Sequence, residues 1–433
     1  MEGVILVRIL FISCFLLLLV FASVSIPYIT GSIATILFFF TGYEEFLAAL
    51  PKRIFSQLDV FALMAMPLFI LVGELMNRGG VTDALIRFSQ LLVGRFKGGL
   101  GHTNVMTSVF FAGISGAAMA DAAALSNTLV PAMRKQGYTS IYAAAITAAS
   151  AIIGPIIPPS IILIFYGAVM GVDVSALFVA GIIPGLLLAI LLMAANAFAA
   201  VRYDHPGGKK EDTPSFLPTI RRSFPSLMIP VIIMAGIMFG WMTPTEAAAV
   251  AVFAALLISY LYGQANLTMI GESLKKTISI SGTIFLMIAA ASCISFIATL
   301  TMVPQILSDF VISIGVSGNK FLLLLMVLFL VMGMVAETQI ALVLVAPLLV
   351  PIAIAQGADP VHMGIIVCLN LSMGLISPPL GGVLLVTSTV AKVNYWSLVR
   401  SVLPFFLLEV ALLVILILFP ELTLSLPRSL DLL

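Results

Sequence analysis

Residues 154–160 read GPIIPPS and residues 374–380 read GLISPPL, each in the middle of an apolar run. Consecutive prolines remove two amide donors and hold the backbone extended, so a helix that reaches either stretch must open there. Bare carbonyls are costly in lipid and are tolerated only where they line a cavity or bind something. The two stretches lie 220 positions apart. The same shift carries Gly113 onto Gly333, Pro131 onto Pro351, Gly137 onto Gly357, Gly154 onto Gly374, Pro158-Pro159 onto Pro378-Pro379 and Pro184 onto Pro404. Chance supplies fewer than about one Gly–Gly or Pro–Pro coincidence over such a stretch at one chosen shift. Gly and Pro break helices, so a pattern of broken helices has been duplicated. In a membrane protein that is the organisation of a carrier whose site lies at the repeat interface.

Composition sets the solvent. The chain is 61% hydrophobic and 9% charged, with a mean hydropathy of +1.22. No soluble domain of 433 residues hides that much apolar surface, which makes this an all-α polytopic membrane protein. The polar residues are too sparse for a basic groove, so no nucleic acid partner is expected. Cys14, Cys293 and Cys368 sit in apolar runs without metal-like spacing. The first apolar run, Val4 to Ala22, lacks a basic leader and a small-residue cleavage site and reads as a first helix.

Further spans are expected near 28–50, 58–77, 140–170, 176–201, 226–242, 245–262, 279–301, 361–391 and 396–419. The first repeat is 1–205, a cytoplasmic linker covers 206–223 within the polar stretch Arg202–Ser223, and the second repeat is 224–433. Two segments, near 100–137 and 319–357, have apolar arms short for a bilayer, folded around Gly113–Gly116 and Gly333–Ala336. They read as re-entrant hairpins, the alternative being four full helices. Arg78–Gly99 is either an amphipathic interfacial arm or a plain cytoplasmic loop. Five crossings plus one hairpin per half, starting outside, place 15 Lys and Arg on the cytoplasmic side and 5 on the outer side. The positive-inside rule favours that orientation, with both termini on the outer side. Five is odd, so the second repeat is inverted.

Each hairpin tip is expected to face the break of its own repeat. Ser115 and Gly116 then join Gly154, Ile157 and Pro159, while Gly333, Val335, Ala336 and Glu337 join Gly374, Ser377 and Pro379. Carbonyl and hydroxyl oxygens suit Na⁺ without a fixed charge, and the restarted half-helix offers amides and a positive dipole end to a carboxylate. A structural kink satisfied by Ser, Thr and water is the competing explanation. Among intramembrane acids, Glu337 is the better candidate for an ion ligand or proton carrier, and Asp121 is equally readable as a structural hydrogen-bonding group. Glu74 and Glu246 read as structural. Candidate substrate contacts are Ser115, Ser160, Thr338, Gly381 and Thr387, chosen for polarity or backbone exposure beside the breaks. No Walker A sequence, intramembrane protease signature, voltage-sensing helix or filter sequence is present.

The runs GISGAAMADAAALSNTLVPAMRKQGY (113–138), GPIIPPSIILIFYG (154–167) and AGIIPG (180–185) resemble the large membrane subunit of TRAP transporters, the tripartite ATP-independent periplasmic carriers. So do GMVAETQIALVLVAPLLVPIA (333–353) and MGLISPPLGGVLLVTS (373–388), and the resemblance covers essentially the whole chain. It implies an inverted-repeat elevator fold, in which a scaffold anchors a moving domain of two re-entrant hairpins and two broken helices. It implies Na⁺ as coupling ion, no other cofactor, and import of organic anions such as C4-dicarboxylates or sialic acid. The implied partners are a small four-helix membrane subunit, here a separate chain, and a periplasmic substrate-binding protein, and the implied location is a bacterial inner membrane with both termini periplasmic. The family usually carries Asp where this chain has Glu337, which bears on the ion at that tip. A stand-alone divalent-anion/sodium symporter is the alternative within transporters. A membrane enzyme or channel is the alternative outside them.

Overall fold

The computed structural model describes residue 24 and residues 26–207, 214–313 and 315–433. The run Val4 to Ala22 lies outside the described residues. In the first half α1 (Ile26–Thr41), α2 (Leu50–Leu58), α3 (Ala65–Arg78) and α4 (Val81–Val93) precede a hairpin of α5 (Gly99–Ser115) and α6 (Ala118–Lys135). α7 (Ser140–Ser150) and α8 (Ile161–Met170) are the halves of a broken helix, followed by α9 (Val174–Arg202). The second half opens with α10 (Phe216–Met238), α11 (Pro244–Leu261), α12 (Leu267–Leu300) and α13 (Val303–Ser313). Its hairpin is α14 (Asn319–Val335) and α15 (Thr338–Ala355), its broken helix α16 (Pro360–Gly374) and α17 (Gly382–Ala391), and α18 (Tyr395–Leu418) and α19 (Glu421–Ser429) close the chain. Among the described residues, seven helices are long and apolar enough to cross a membrane.

The 220-residue repeat is a repeat of elements. α5 and α14 start at 99 and 319, α6 and α15 at 118 and 338, α7 and α16 at 140 and 360. The helix caps follow the same register with different residues. Thr139 caps α7, its hydroxyl accepting from the Tyr142 amide at 3.3 Å, and Asp359 caps α16, accepting from Val361 at 2.8 Å. One residue out of that register, Asp173 caps α9 and Asn394 caps α18 by the same device. Each satisfies an amide that would otherwise be orphaned at a helix start.

The broken helices form the centre. Every residue from Val361 to Gly374 is buried, as is every residue from Tyr142 to Ser150. A helix apolar on all sides belongs inside. The two repeats interlock there: the Tyr166 hydroxyl donates to the Pro360 carbonyl at 3.0 Å, and Gly364 lets the Tyr166 ring lie flush on α16. The second arm of each hairpin packs on the restarted half-helix of the other repeat, α6 on α17 and α15 on α8. α3, α11 and α12 pack together as a wall on one side.

Polar latches hold each hairpin to its own broken helix. In the first repeat Asn104 donates to Thr147 at 2.6 Å, Ser150 donates to Asn104 at 3.1 Å, and Ser108 donates to Ser150 at 3.0 Å, all buried. In the second, Asn370 donates to the Met326 carbonyl at 2.7 Å. Asn370 stands 220 positions after Ser150, so one register point carries the latch in both halves.

Some boundaries differ from the sequence expectation. The span expected over 28–50 stops at Thr41, because Gly42 turns left-handed (φ 78) and the polar Tyr43-Glu44-Glu45 comes next. The chain continues as a 3-10 turn (Glu44–Ala49) and then α2, a short helix with no buried residue. α10 and α12 begin at Phe216 and Leu267, earlier than the apolar runs, since helices continue past the hydrocarbon edge through Arg221, Arg222, Lys275 and Lys276. The stretch 216–223 is therefore helix rather than linker. Of the two readings of Arg78–Gly99 the helical one holds. α4 packs on α5 and α10, and Ser223 donates to the Ala84 carbonyl at 2.8 Å.

Candidate functional site

The first tip is a two-residue turn. Gly116 ends α5 in the left-handed region (φ 59) and Ala117 is extended before α6 begins. A Cβ on Gly116 would stand 2.6 Å from the Pro159 carbonyl oxygen. The tip thus rests on the break, in the middle of the element that runs from Ser140 to Met170. That depth makes the segment re-entrant rather than a pair of crossings.

Asp121, one turn into α6, completes this seam. Ser115 Oγ donates to Asp121 Oδ1, and the Ala117 amide donates to Ser115 Oγ at 3.3 Å. The other oxygen, Oδ2, is buried and without a hydrogen-bond partner among the described residues. It points at the break: a Cβ on Gly154 would stand 2.5 Å from it. A buried carboxylate oxygen is costly unless a partner satisfies it, and a cation is one partner of the right chemistry. Sequence reasoning named Asp121 without placing it in the site. The available signal was its spacing, six residues after Ser115 and across the glycine turn.

The remaining first-repeat residues have other neighbours. Ser160 is buried, donating to the Pro155 carbonyl and accepting from the Leu163 amide at 3.3 Å, so its hydroxyl spans the break and caps α8. The Ile156 carbonyl lies against Gly181 and the Ile157 side chain against Gly185, so the AGIIPG stretch of α9 is cut away to receive the extended backbone.

The second seam is built differently. Gly333 and Gly374 pack backbone on backbone, and a Cβ on Gly333 would also lie 2.7 Å from the Leu371 carbonyl. Ala336 is extended and Glu337 is the cap residue of α15 without a side-chain cap bond. Val335 points its side chain outward. Ser377 is buried and donates to the Met373 carbonyl at 3.1 Å, while its own carbonyl lies 2.8 Å from where a Gly381 Cβ would be. Pro379 is exposed and its carbonyl accepts from the Tyr395 hydroxyl at 2.9 Å, facing α18. Thr338 and Thr387 are buried, Thr387 without a partner for its hydroxyl among the described residues.

Both tips open on one cavity of about 400 Å³. Ser115, Asp121 and Glu337 line it from the hairpins, and Ile161 brings the start of α8 to it. The facing wall supplies Glu74, Asn77 and Lys276. Glu74 pairs with Arg78 at 3.5 Å, and Arg78 also pairs with Glu272. Lys276 has no carboxylate partner among the described residues. Glu246 is far simpler: with Thr243 it forms the reciprocal cap that opens α11. The cavity thus has an acidic side at the tips and a free ammonium opposite.

The family model described as "Tripartite ATP-independent periplasmic transporter, DctM component" matches residues 11–422. The chain is 38% identical over 378 residues to the sialic acid TRAP transporter large permease protein SiaM of Vibrio cholerae, covering 87% of this chain and 88% of that protein. It is 32% identical over 401 residues to the C4-dicarboxylate TRAP transporter large permease protein DctM of Pseudomonas aeruginosa, covering 92% and 93%. Among solved structures, the YdaH transporter of Alcanivorax borkumensis is similar in fold, with a TM-score of 0.66 at 14% identity over 87% of this chain and 88% of that one.

Proposed function

The chain belongs to the DctM family of tripartite ATP-independent periplasmic transporters, and from that premise we propose that it is the permease through which a small organic anion enters the cell with sodium. The observation that carries this reading is the open Asp121 Oδ2 at the seam of tip and break, beside a cavity shared by both hairpins. A volume of about 400 Å³ is in the range of small-ligand sites. The start of α8 and the Lys276 ammonium give an anion two sources of positive potential. A cation beside Asp121 adds a third, so cation and anion favour each other's binding. That mutual dependence is coupling in thermodynamic form.

Transport then requires the site to face each side in turn. The interlocked hairpins and broken helices move as one body against the wall of α3, α11 and α12, the elevator mode. The inverted repeats give that body two equivalent resting positions. The anion is a carboxylate; the sialic acid and C4-dicarboxylate relatives mark the class. A small membrane subunit steadies the wall, and a periplasmic binding protein delivers the anion and sets much of the specificity.

The test is uptake of a radiolabelled carboxylate panel into proteoliposomes, with an inward sodium gradient and with both partner subunits. Uptake that needs sodium and the binding protein supports the proposal. Uptake by this chain alone moves it to a stand-alone symporter. Silence across the panel, with a binding protein known to hold its ligand, rejects it.

A further inference from the structure

A second cavity of about 900 Å³ lies away from the hairpin tips, between the end of α9 and the start of α18, and the transport reading makes no use of it. Its lining changes character along its length. At one end are Arg202, the last residue of α9, and Arg400, near the start of α18, with Tyr203 and Tyr142 beside them. At the other are Leu191, Ala194, Ala195 and Leu408. At 1.5 Å per residue, Leu191 lies about 17 Å below Arg202 and Leu408 about 12 Å below Arg400. The charged end sits at the membrane surface, since Trp396, 60% exposed, marks the interfacial level one turn before Arg400. Neither guanidinium has an ion pair or hydrogen bond among the described residues. The nearby carboxylate that lines the cavity, Asp204, is held by Lys97 at 2.7 Å. The cavity is therefore cationic at headgroup depth and aliphatic below it, the profile of a phospholipid with a net negative charge.

We propose that this cavity binds an anionic phospholipid, its phosphate between Arg202 and Arg400 and the upper part of an acyl chain along Leu191, Ala195 and Leu408. The lipid would join α9 of the first repeat to α18 of the second. A free phosphate would use the arginines and leave the aliphatic floor bare, and a zwitterionic lipid would gain less from two guanidinium groups.

The chain has two tryptophans, Trp241 and Trp396, so a Trp241→Phe background reports on Trp396 alone. The protein is reconstituted in phosphatidylcholine, and its fluorescence is quenched by increasing fractions of brominated phosphatidylglycerol or brominated phosphatidylcholine. The expected relative association of phosphatidylglycerol is roughly 30-fold, about fivefold for each arginine near the surface. It should fall to near 1 in Arg202→Ala/Arg400→Ala and survive in Arg202→Lys/Arg400→Lys. Ala194→Phe, which narrows the groove without touching a charge, should also abolish it, so the proposal stays testable if the double alanine variant fails to fold. Equal quenching by both lipids, an unchanged preference in the alanine or phenylalanine variants, or displacement by millimolar inorganic phosphate would each overturn it. So would a groove that is closed to lipid because a partner subunit's helix occupies it in the assembled complex.

Discussion

Gly116 and Asp121 are the two residues that shape the first seam. Gly116 combines a left-handed backbone with a carbonyl where its Cβ would go, so any side chain both strains the turn and lifts the tip from the break. Gly171 has the same backbone (φ 69) and open space around it. Gly116→Ala should cost about 1–3 kcal/mol and most of the uptake, whereas Gly171→Ala costs about 1 kcal/mol and leaves uptake near normal. Thermal unfolding and initial uptake rates on the same preparations compare the two. Asp121→Asn keeps an oxygen for Ser115 and removes the charge at the break. The melting temperature should hold, and the sodium concentration for half-maximal uptake should rise about tenfold or more, as expected when a charged ligand becomes neutral. An unchanged sodium dependence would return Asp121 to a structural role. The sequence exposed Gly116 through the glycine turn, but Asp121 has no counterpart in the second repeat, so the symmetry that revealed the rest could not point to it.

At the scale of elements, the breaks, hairpins and repeat were legible because Pro and Gly act on their own backbone. The seams were legible only in part, since a carbonyl's direction depends on what packs beside it. Gly181 and Gly185 take up the Ile156–Ile157 side of the first break, and Tyr395 takes the Pro379 carbonyl of the second. Nothing in GPIIPPS or GLISPPL alone foretells those partners. Helix ends beyond the hydrocarbon edge, as in α10 and α12, were missed for a related reason: hydropathy reports the solvent, not the hydrogen bonding of the chain. Two predictions belong here. Gly374→Ala drives a methyl into the Gly333 backbone and should destabilise by about 1–3 kcal/mol, while Gly282→Ala, inside α12 with nothing near its Cβ position among the described residues, should stabilise by up to about 1 kcal/mol. Asn104→Ala strips the latch from buried Thr147 and Ser150 and should cost about 1–3 kcal/mol. Thermal denaturation in detergent reads all three.

Across the whole molecule, the inverted repeat brings two differently built seams to a shared cavity, with charge placed unequally between them. Asp121 stands at the first and Glu337 at the second tip, both on the cavity wall. α6 packs on α17 and α15 on α8, and on the proposed reading a displacement of one seam carries the other with it. On the proposed elevator reading the body of hairpins and broken helices moves against the wall of α3, α11 and α12, and side-specific labelling distinguishes motion from rest. Single cysteines are placed at Ala120 on the first tip and at Asn77 on the wall, in a background where Cys14, Cys293 and Cys368 are alanine. A membrane-impermeant thiol reagent is then applied from one side and from the other, in sodium with and without transported anion. The account predicts that position 120 reacts from both sides, with a ratio set by the anion, while position 77 reacts from one side under every condition. Reaction at position 120 from a single side under all conditions, in protein that still transports, would contradict it.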